Sequence, residues 1–413
     1  MLIGRLFVWV LIGAAALAAE VTPAQIQEWC SRIKQVLFVP DPPPALAPVS
    51  YGNFEPTPGV VAERITYSTE FGMRIPAILY RPAKPAARKA PGIVVVNGHG
   101  GDKYAWYSSY TGMLYAKAGA FVITYDPIGE GERNAERKSV TRQHDISVPP
   151  EEMGRRMAGL MINDVRQAVS YLSRRHEVDP SRIAAVGYSM GSFVLGLTCA
   201  IETRLHSCVL VGGGNLGGPG CYWDRSSHTM CQAIPYKSLM FLGDRGAVLY
   251  SLHASRGGTF IFNGMLDGVV ISEEMGPQVF FEDLRKRTIA LHGSDKNVFE
   301  FGFEPGAGHR PYFVTRPVAL WLQRKLHFPN WTEADILKMP ETHIGEWARQ
   351  EHVYIEPAYA TEVREAGIHA LGLGIPGILR EQLHAVPLDQ WTRDKDQFVY
   401  ESWIAEAKAL VAQ

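Results

Sequence analysis

Residues Ile183 to Val186 form a short apolar run, and Gly187-Tyr-Ser189-Met-Gly191 follows at once. A second apolar stretch, Phe193 to Ala200, comes directly after. The first run has the length of a buried strand and the second can be a helix. Between them lies a serine flanked two residues away on each side by glycine. A strand that turns this sharply into a helix crowds the backbone on both sides of the turn, and glycine has no side chain to clash there. The hydroxyl of Ser189 is then exposed at a helix N-terminus, where negative charge is stabilised.

The rest of the chain alternates in the same way. Arg64 to Ser68 and Arg74 to Tyr80 read as two strands joined by the Thr69–Gly72 turn. Gly92 to Asn97, Phe121 to Tyr125, Cys208 to Val211, Thr259 to Phe262 and Val298 to Phe303 read as further strands. Trp106 to Ala118, Glu151 to Arg175, Pro277 to Leu291 and Pro317 to Leu326 read as helices. Alternation of this kind predicts a mostly parallel sheet wrapped by helices. Unbroken apolar strands fit a sheet buried on both faces. The stretch from Gly212 to about Ser255 reads as irregular.

The boundaries follow from these patterns. Residues 1–18 carry a charged start ending at Arg5, an apolar run from Leu6 to Leu17 and the small-residue site Ala16-Leu17-Ala18, as secretory signals do. The expected location is secreted or periplasmic, with an uncleaved membrane anchor as the alternative. The apolar run is short for a spanning helix, so no stable membrane insertion is expected after cleavage. Residues 19–59 are expected to hold a helix, Pro23 to Phe38, and a Pro-rich linker around Pro40 to Pro44. The main α/β domain is expected over 60–327. Residues 328–413 hold Trp331, Trp347, Trp391 and Trp403 and read as a helical extension.

The net charge of the 413 residues is -1, which gives no electrostatic reason to bind nucleic acid. Five cysteines are present: Cys30, Cys199, Cys208, Cys221 and Cys231. In an oxidising compartment Cys221 and Cys231 are the expected pair, because they bracket one polar loop. No C-x-x-C or His/Cys spacing suggests zinc, and no metal or organic cofactor is expected.

A serine hydroxyl needs a base in reach, and the base needs an orienting acid. In such a sheet, sites form at the C-terminal ends of strands. His309 follows the last strand in a Gly-containing loop, so it is the expected base. His343, in the extension, is the competitor. Asp267, just beyond the Thr259–Phe262 strand, is the expected acid, with Asp224 and Asp244 as alternatives. Asp126 ends a strand ahead of the serine and is expected to organise a loop. Developing charge on a substrate oxygen needs two backbone N–H donors. One is expected from Met190. The other is expected from Gly101, with Gly100 as the alternative, in the loop Gly98-His99-Gly100-Gly101. His99 is expected to brace that loop. Trp106, Tyr107, Tyr110, Tyr222 and Trp223 are aromatics that can stack on sugar rings or pack a core.

Three segments carry a resemblance. Asp179-Pro-Ser-Arg182-Ile183 leading to Gly187-Tyr-Ser-Met-Gly191, Asn97-Gly-His-Gly-Gly101, and Tyr125-Asp-Pro-Ile-Gly-Glu-Gly-Glu-Arg133 resemble the α/β-hydrolase fold over residues 60–327. Within that fold they are similar to the prolyl-oligopeptidase-like, dienelactone-hydrolase-like and acetyl xylan esterase-like branch. The resemblance implies a mostly parallel sheet of about eight strands and a serine hydrolase acting on esters, with Ser189, Asp267 and His309 at the triad positions. It implies a small ester or an acylated carbohydrate as substrate. Dienelactone hydrolases carry a cysteine where this chain has Ser189. The segment ahead of the first strand is too short for the β-propeller of the prolyl-oligopeptidase enzymes. A peptidase or amidase of the same fold, and a binding protein that kept the fold without catalysis, are the alternative functions.

Overall fold

The computed structural model describes residues 21–84, 87–226, 229–270, 275–355 and 368–412. The expected signal, 1–18, lies outside the described residues. Among them, no helix is long and apolar enough to cross a membrane.

The chain runs α1 (Pro23–Val36), β1 (Val49–Thr57), β2 (Val60–Ser68), β3 (Arg74–Pro82), β4 (Ala90–Val96), α2 (Trp106–Lys117), β5 (Phe121–Tyr125), α3 (Glu151–Arg174), β6 (Val178–Tyr188) and α4 (Met190–Ile201). It continues with β7 (Ser207–Val211), α5 (Tyr222–Arg225), α6 (Ile234–Ser238), α7 (Arg245–Ala254), β8 (Gly258–Gly264), α8 (Pro277–His292), β9 (Glu300–Glu304) and α9 (Arg316–Leu326). The nine strands form one sheet in the order β1-β2-β3-β5-β4-β6-β7-β8-β9. β1, β2, β3 and β5 pair antiparallel, whereas β5, β4, β6, β7, β8 and β9 run parallel.

Burial explains the strand sequences. All seven residues of β4 are buried, and so are all of β5, β7 and β8. Helices α3, α4 and α7 cover one face, and α2 with α9 cover the other. A strand covered on both sides carries apolar side chains at every position. Each buried Val or Ile contributes about 1.5–3 kcal/mol. Helix α3 starts with Glu151 and Glu152 and ends at Arg174, charges that complement the helix dipole.

Four features depart from the sequence expectations. β1 lies in the stretch read as linker, and it raises the strand count to nine. The stretch read as irregular before Ser255 contains α5, α6 and α7, with α7 capped by the Asp244 side chain. Residues beyond 328 are mostly helical but add a two-stranded antiparallel sheet, β10 (Glu341–His343) with β11 (His369–Leu371). The disulfide joins Cys199 to Cys208, while Cys221 and Cys231 are free. Helix α4 lies against β7, which brings Cys199 and Cys208 together. Cys221 instead faces Arg245, and Cys231 faces Asp145 and His99.

Residues 380–411 dock across the molecule. The backbone N–H groups of Ala385 and Val386 donate to the Glu132 carboxylate at 2.7 and 3.0 Å, and Trp391 Nε1 donates to the Glu132 carbonyl. Trp403 donates to Glu70 Oε1 at 2.7 Å. The loop after β5, which holds Glu132, is thereby covered.

Candidate active site

Order reverses across β4: β5 lies on one side of it and β6 on the other. The loops after β4 and β6 therefore diverge and leave a crevice beyond the strand ends. Ser189 stands in that crevice between β6 and α4. Its backbone has φ 54° and ψ −116°, a conformation that side-chain-bearing residues rarely adopt. A Cβ on Gly187 would lie 2.5 Å from the Gly191 carbonyl oxygen, and one on Gly191 would lie 2.2 Å from the Val96 oxygen. Both glycines are required by this close approach. Met190 opens α4, so its N–H is among the helix donors without an intrahelical acceptor.

Asp267 and His309 come together. His309 Nδ1 lies 3.0 and 2.9 Å from the two carboxylate oxygens of Asp267. The Asp267 side chain is fully buried and that of His309 is 23 % exposed. The Val269 N–H donates to Asp267 Oδ1 at 2.9 Å and fixes the carboxylate. Tyr188 donates to the His309 carbonyl, with its ring 5.0 Å from the imidazole. Gly212, at φ 63°, passes under the imidazole, where a Cβ would lie 2.8 Å from Cε1.

Ser189 and His309 line one cavity of about 510 Å³, with Gly100, Gly101, Tyr104, Trp106 and Tyr107 among its walls. The loop after β4 is held by Asn97, which donates to the Tyr125 carbonyl and accepts from Ser108. The Gly101 N–H donates to the Gly98 carbonyl at 3.0 Å and closes a turn. The N–H of Gly101, the expected second donor, thus takes part in that turn. Gly100, at φ 73°, is the other glycine of the turn.

The alternatives are spent elsewhere. Asp224 pairs with Arg245, and Asp244 pairs with Arg287. His343 sits in β10 with its ring 5.3 Å from that of His369. Tyr110 donates to the Leu371 carbonyl from the core, while Trp223 packs on Phe193 beside a smaller cavity of about 40 Å³ that also reaches Ser189.

Asp126 does organise a loop, and by more than its position suggested. Lys103 is fully buried between the carboxylates of Asp126 and Glu132, the latter at 2.8 Å. Burial opposes the lysine's charge, but the two acids outweigh it and raise its pKa. Burial pushes Asp126 up to about 7 against the pull of Lys103. The sequence signal was the acidic run Glu130 to Glu132 after a strand. Its partner in the adjacent loop was not apparent.

His99 does brace its loop. Its ring stacks on that of His144 at 5.4 Å, and Nε2 lies 3.2 Å from Cys231 Sγ. Burial pulls His144 down to about 4, so its imidazole is neutral near pH 7. His99, Asp145 and Cys231 offer ligand atoms within 4.8 Å of one another. Burial and the neighbouring Asp145 raise the pKa of the Cys231 thiol.

Comparison with known proteins agrees with this architecture. Residues 93–371 match the family described as the alpha/beta hydrolase family. YtaP of Bacillus subtilis (strain 168), provisionally named a hydrolase, is 28 % identical over 147 residues, covering 33 % of this chain and 47 % of that protein. The chain thus spans about half the length of that curated relative. Three solved structures share the fold. The glucuronoyl esterase from Solibacter usitatus is 13 % identical, with a TM-score of 0.53 over 75 % of this chain and 93 % of that one. Methylesterase BT1017 is 17 % identical, with a TM-score of 0.54 over 76 % and 66 % of the two chains. The acetyl xylan esterase from Paenibacillus sp. R4 is 14 % identical, with a TM-score of 0.50 over 74 % and 100 %. With the reversed strand order, the strained serine and a family match over two thirds of its length, the chain belongs to the alpha/beta hydrolase family.

Proposed function

We propose that this protein is an exported serine carboxylic-ester hydrolase working through an acyl-enzyme. The observation that carries the reading is the imidazole of His309 paired with the buried Asp267 carboxylate at the cavity that Ser189 also lines. With Nδ1–H donated to Asp267, Nε2 is the free base. It takes the hydroxyl proton as Ser189 Oγ attacks the ester carbonyl carbon. The carbonyl oxygen becomes an oxyanion, stabilised by the Met190 N–H and by an N–H of the Gly98–Gly101 turn. Because the Gly101 N–H closes that turn, Gly100 is the favoured second donor. Loss of one such donor costs about 3 kcal/mol, or ~100-fold in rate. Collapse of the intermediate breaks the bond to the alcohol oxygen, which leaves with the proton from Nε2. Water, deprotonated by the same nitrogen, then releases the acid and restores Ser189.

Trp106 and Tyr107 in the cavity wall support a carbohydrate ester, because sugar rings stack on aromatic side chains. Export is supported by the signal pattern of residues 1–18 together with a disulfide between Cys199 and Cys208. Material recovered outside the cytoplasm should begin at residue 19, and a start at Met1 refutes cleavage.

A fluorophosphonate probe tests the chemistry. It should attach to the peptide holding Ser189, and the His309→Ala protein should resist it. A probe that leaves Ser189 unmodified under conditions that label a control esterase contradicts the proposal.

A further inference from the structure

Three arginines line the same cavity as Ser189: Arg142, Arg380 and the buried Arg310, which donates to the His309 carbonyl. The first two bear on the substrate, and neither forms an ion pair among the described residues. Arg380 is fixed by neutral acceptors: Nη1 donates to Ser139 Oγ and Nη2 to the Arg137 carbonyl, both at 2.9 Å. Its guanidinium carbon lies over the Tyr104 ring, 3.8 Å from the ring centre. That contact and those two bonds hold the fork in place and leave further N–H donors for a ligand.

Arg142 is held by its backbone instead. Its N–H donates to Glu130 Oε1 at 2.6 Å, and the Thr141 N–H donates to Glu130 Oε2 at 3.0 Å. The residue sits at φ 53°, and Arg137 and Val140 in the same segment sit at 55° and 63°. Three left-handed residues without a glycine among them cost about 1–3 kcal/mol each, and such strain gathers at ligand-binding segments. The Arg142 side chain is exposed toward the cavity it lines. Asp102 is the carboxylate of that wall, and it is occupied by the Tyr104 N–H at 2.9 Å and by the Ser139 hydroxyl.

We infer that Arg142 and Arg380 form a carboxylate subsite, so that the substrate is an ester of an acidic carbohydrate rather than of a neutral one. This rests on the ester-hydrolase reading of Ser189. A carboxylate on the sugar ring meets two guanidinium groups that form no ion pair among the described residues, although Asp102 lies close enough to interact with Arg380, while the ring rests on Trp106 and Tyr107. Charge-assisted bonds of this kind give both affinity and orientation.

Calorimetry on the Ser189→Ala protein tests it without needing turnover. A galacturonate trisaccharide should bind at least about tenfold more tightly than the corresponding galactose trisaccharide, as expected for hydrogen bonds to a charged group. The preference should shrink in ~0.5 M salt, as screened charges require. Arg142→Gln and Arg380→Gln should each cut the preference by about tenfold. Arg142 decides if the Arg380 variant misfolds, because the Arg142 side chain makes no hydrogen bond to the rest of the described residues. Equal affinity for the two sugars, binding of neither, or a preference kept in the Arg142 variant overturns the inference. Failure of the ester-hydrolase reading shows separately, as absent ester turnover by the unmodified enzyme.

Discussion

His309 directs Nδ1 at both carboxylate oxygens of Asp267, 3.0 and 2.9 Å away, and Asp267 has no access to solvent. A buried carboxylate against one ring nitrogen fixes the tautomer and the ring plane together. Asp267→Asn keeps the shape and reverses the hydrogen-bond preference. The expected result is a fall in kcat of about 10⁴-fold with KM little changed. Steady-state hydrolysis of p-nitrophenyl acetate measures it, and a loss below tenfold removes Asp267 from the account.

Gly212 offers a test from the other side of the ring. Its φ is 63°, and a methyl group there would come within 2.8 Å of His309 Cε1. Gly212→Ala should tilt the imidazole and lower kcat by about 100-fold, the scale of a 1 Å misplacement. Its thermal unfolding should fall much less than its rate. Unchanged turnover would show that the imidazole has room to move.

Lys103 is sealed between Asp126 and Glu132, and Glu132 in turn holds Ala385, Val386 and Arg137. Lys103→Met leaves buried carboxylates without their cation. Urea unfolding should show a loss of about 3–5 kcal/mol. Limited proteolysis should cut the segment around residues 380–391 sooner than in the unmodified protein. A loss under ~1 kcal/mol means that solvent or another group neutralises the pair.

Glu70 accepts from Trp403 Nε1, and burial lifts its pKa to about 7. The folded state therefore holds a proton that the unfolded chain releases above about pH 4.5. This contribution to stability is complete below pH 4.5 and is lost as pH rises through 7. Glu70→Gln should remove it, making the variant relatively more stable at pH 8 than at pH 5 by up to about 3 kcal/mol. Urea unfolding of both proteins at the two pH values measures the difference. An equal effect at both pH values shows that Glu70 titrates as an ordinary carboxylate.

Ser189, Asp267 and His309 were legible in the sequence because each follows an apolar run that ends sharply, and strand ends are where this architecture gathers chemistry. The central parallel strands β4, β5, β7 and β8 were legible for the same reason: burial on both faces makes them largely apolar. β1 was not, since most of Val49–Thr57 is exposed on the sheet edge and contains Gly52 and Pro56. The Cys199–Cys208 pair was not, because it depends on α4 lying against β7 rather than on spacing along the chain. Nor were Lys103 with Asp126 and Glu132, or Arg142 with Arg380. Each joins residues that only the packed loops and the C-terminal segment bring together.

The most direct measurement of the central claim is the kcat/KM for p-nitrophenyl acetate of the unmodified protein beside that of Ser189→Ala, with both shown to be folded by circular dichroism. Measurable hydrolysis by the first and a fall of at least ~10⁴-fold in the second are expected. Equal turnover by the two proteins would contradict that claim, because the strained serine between β6 and α4 would then be no nucleophile.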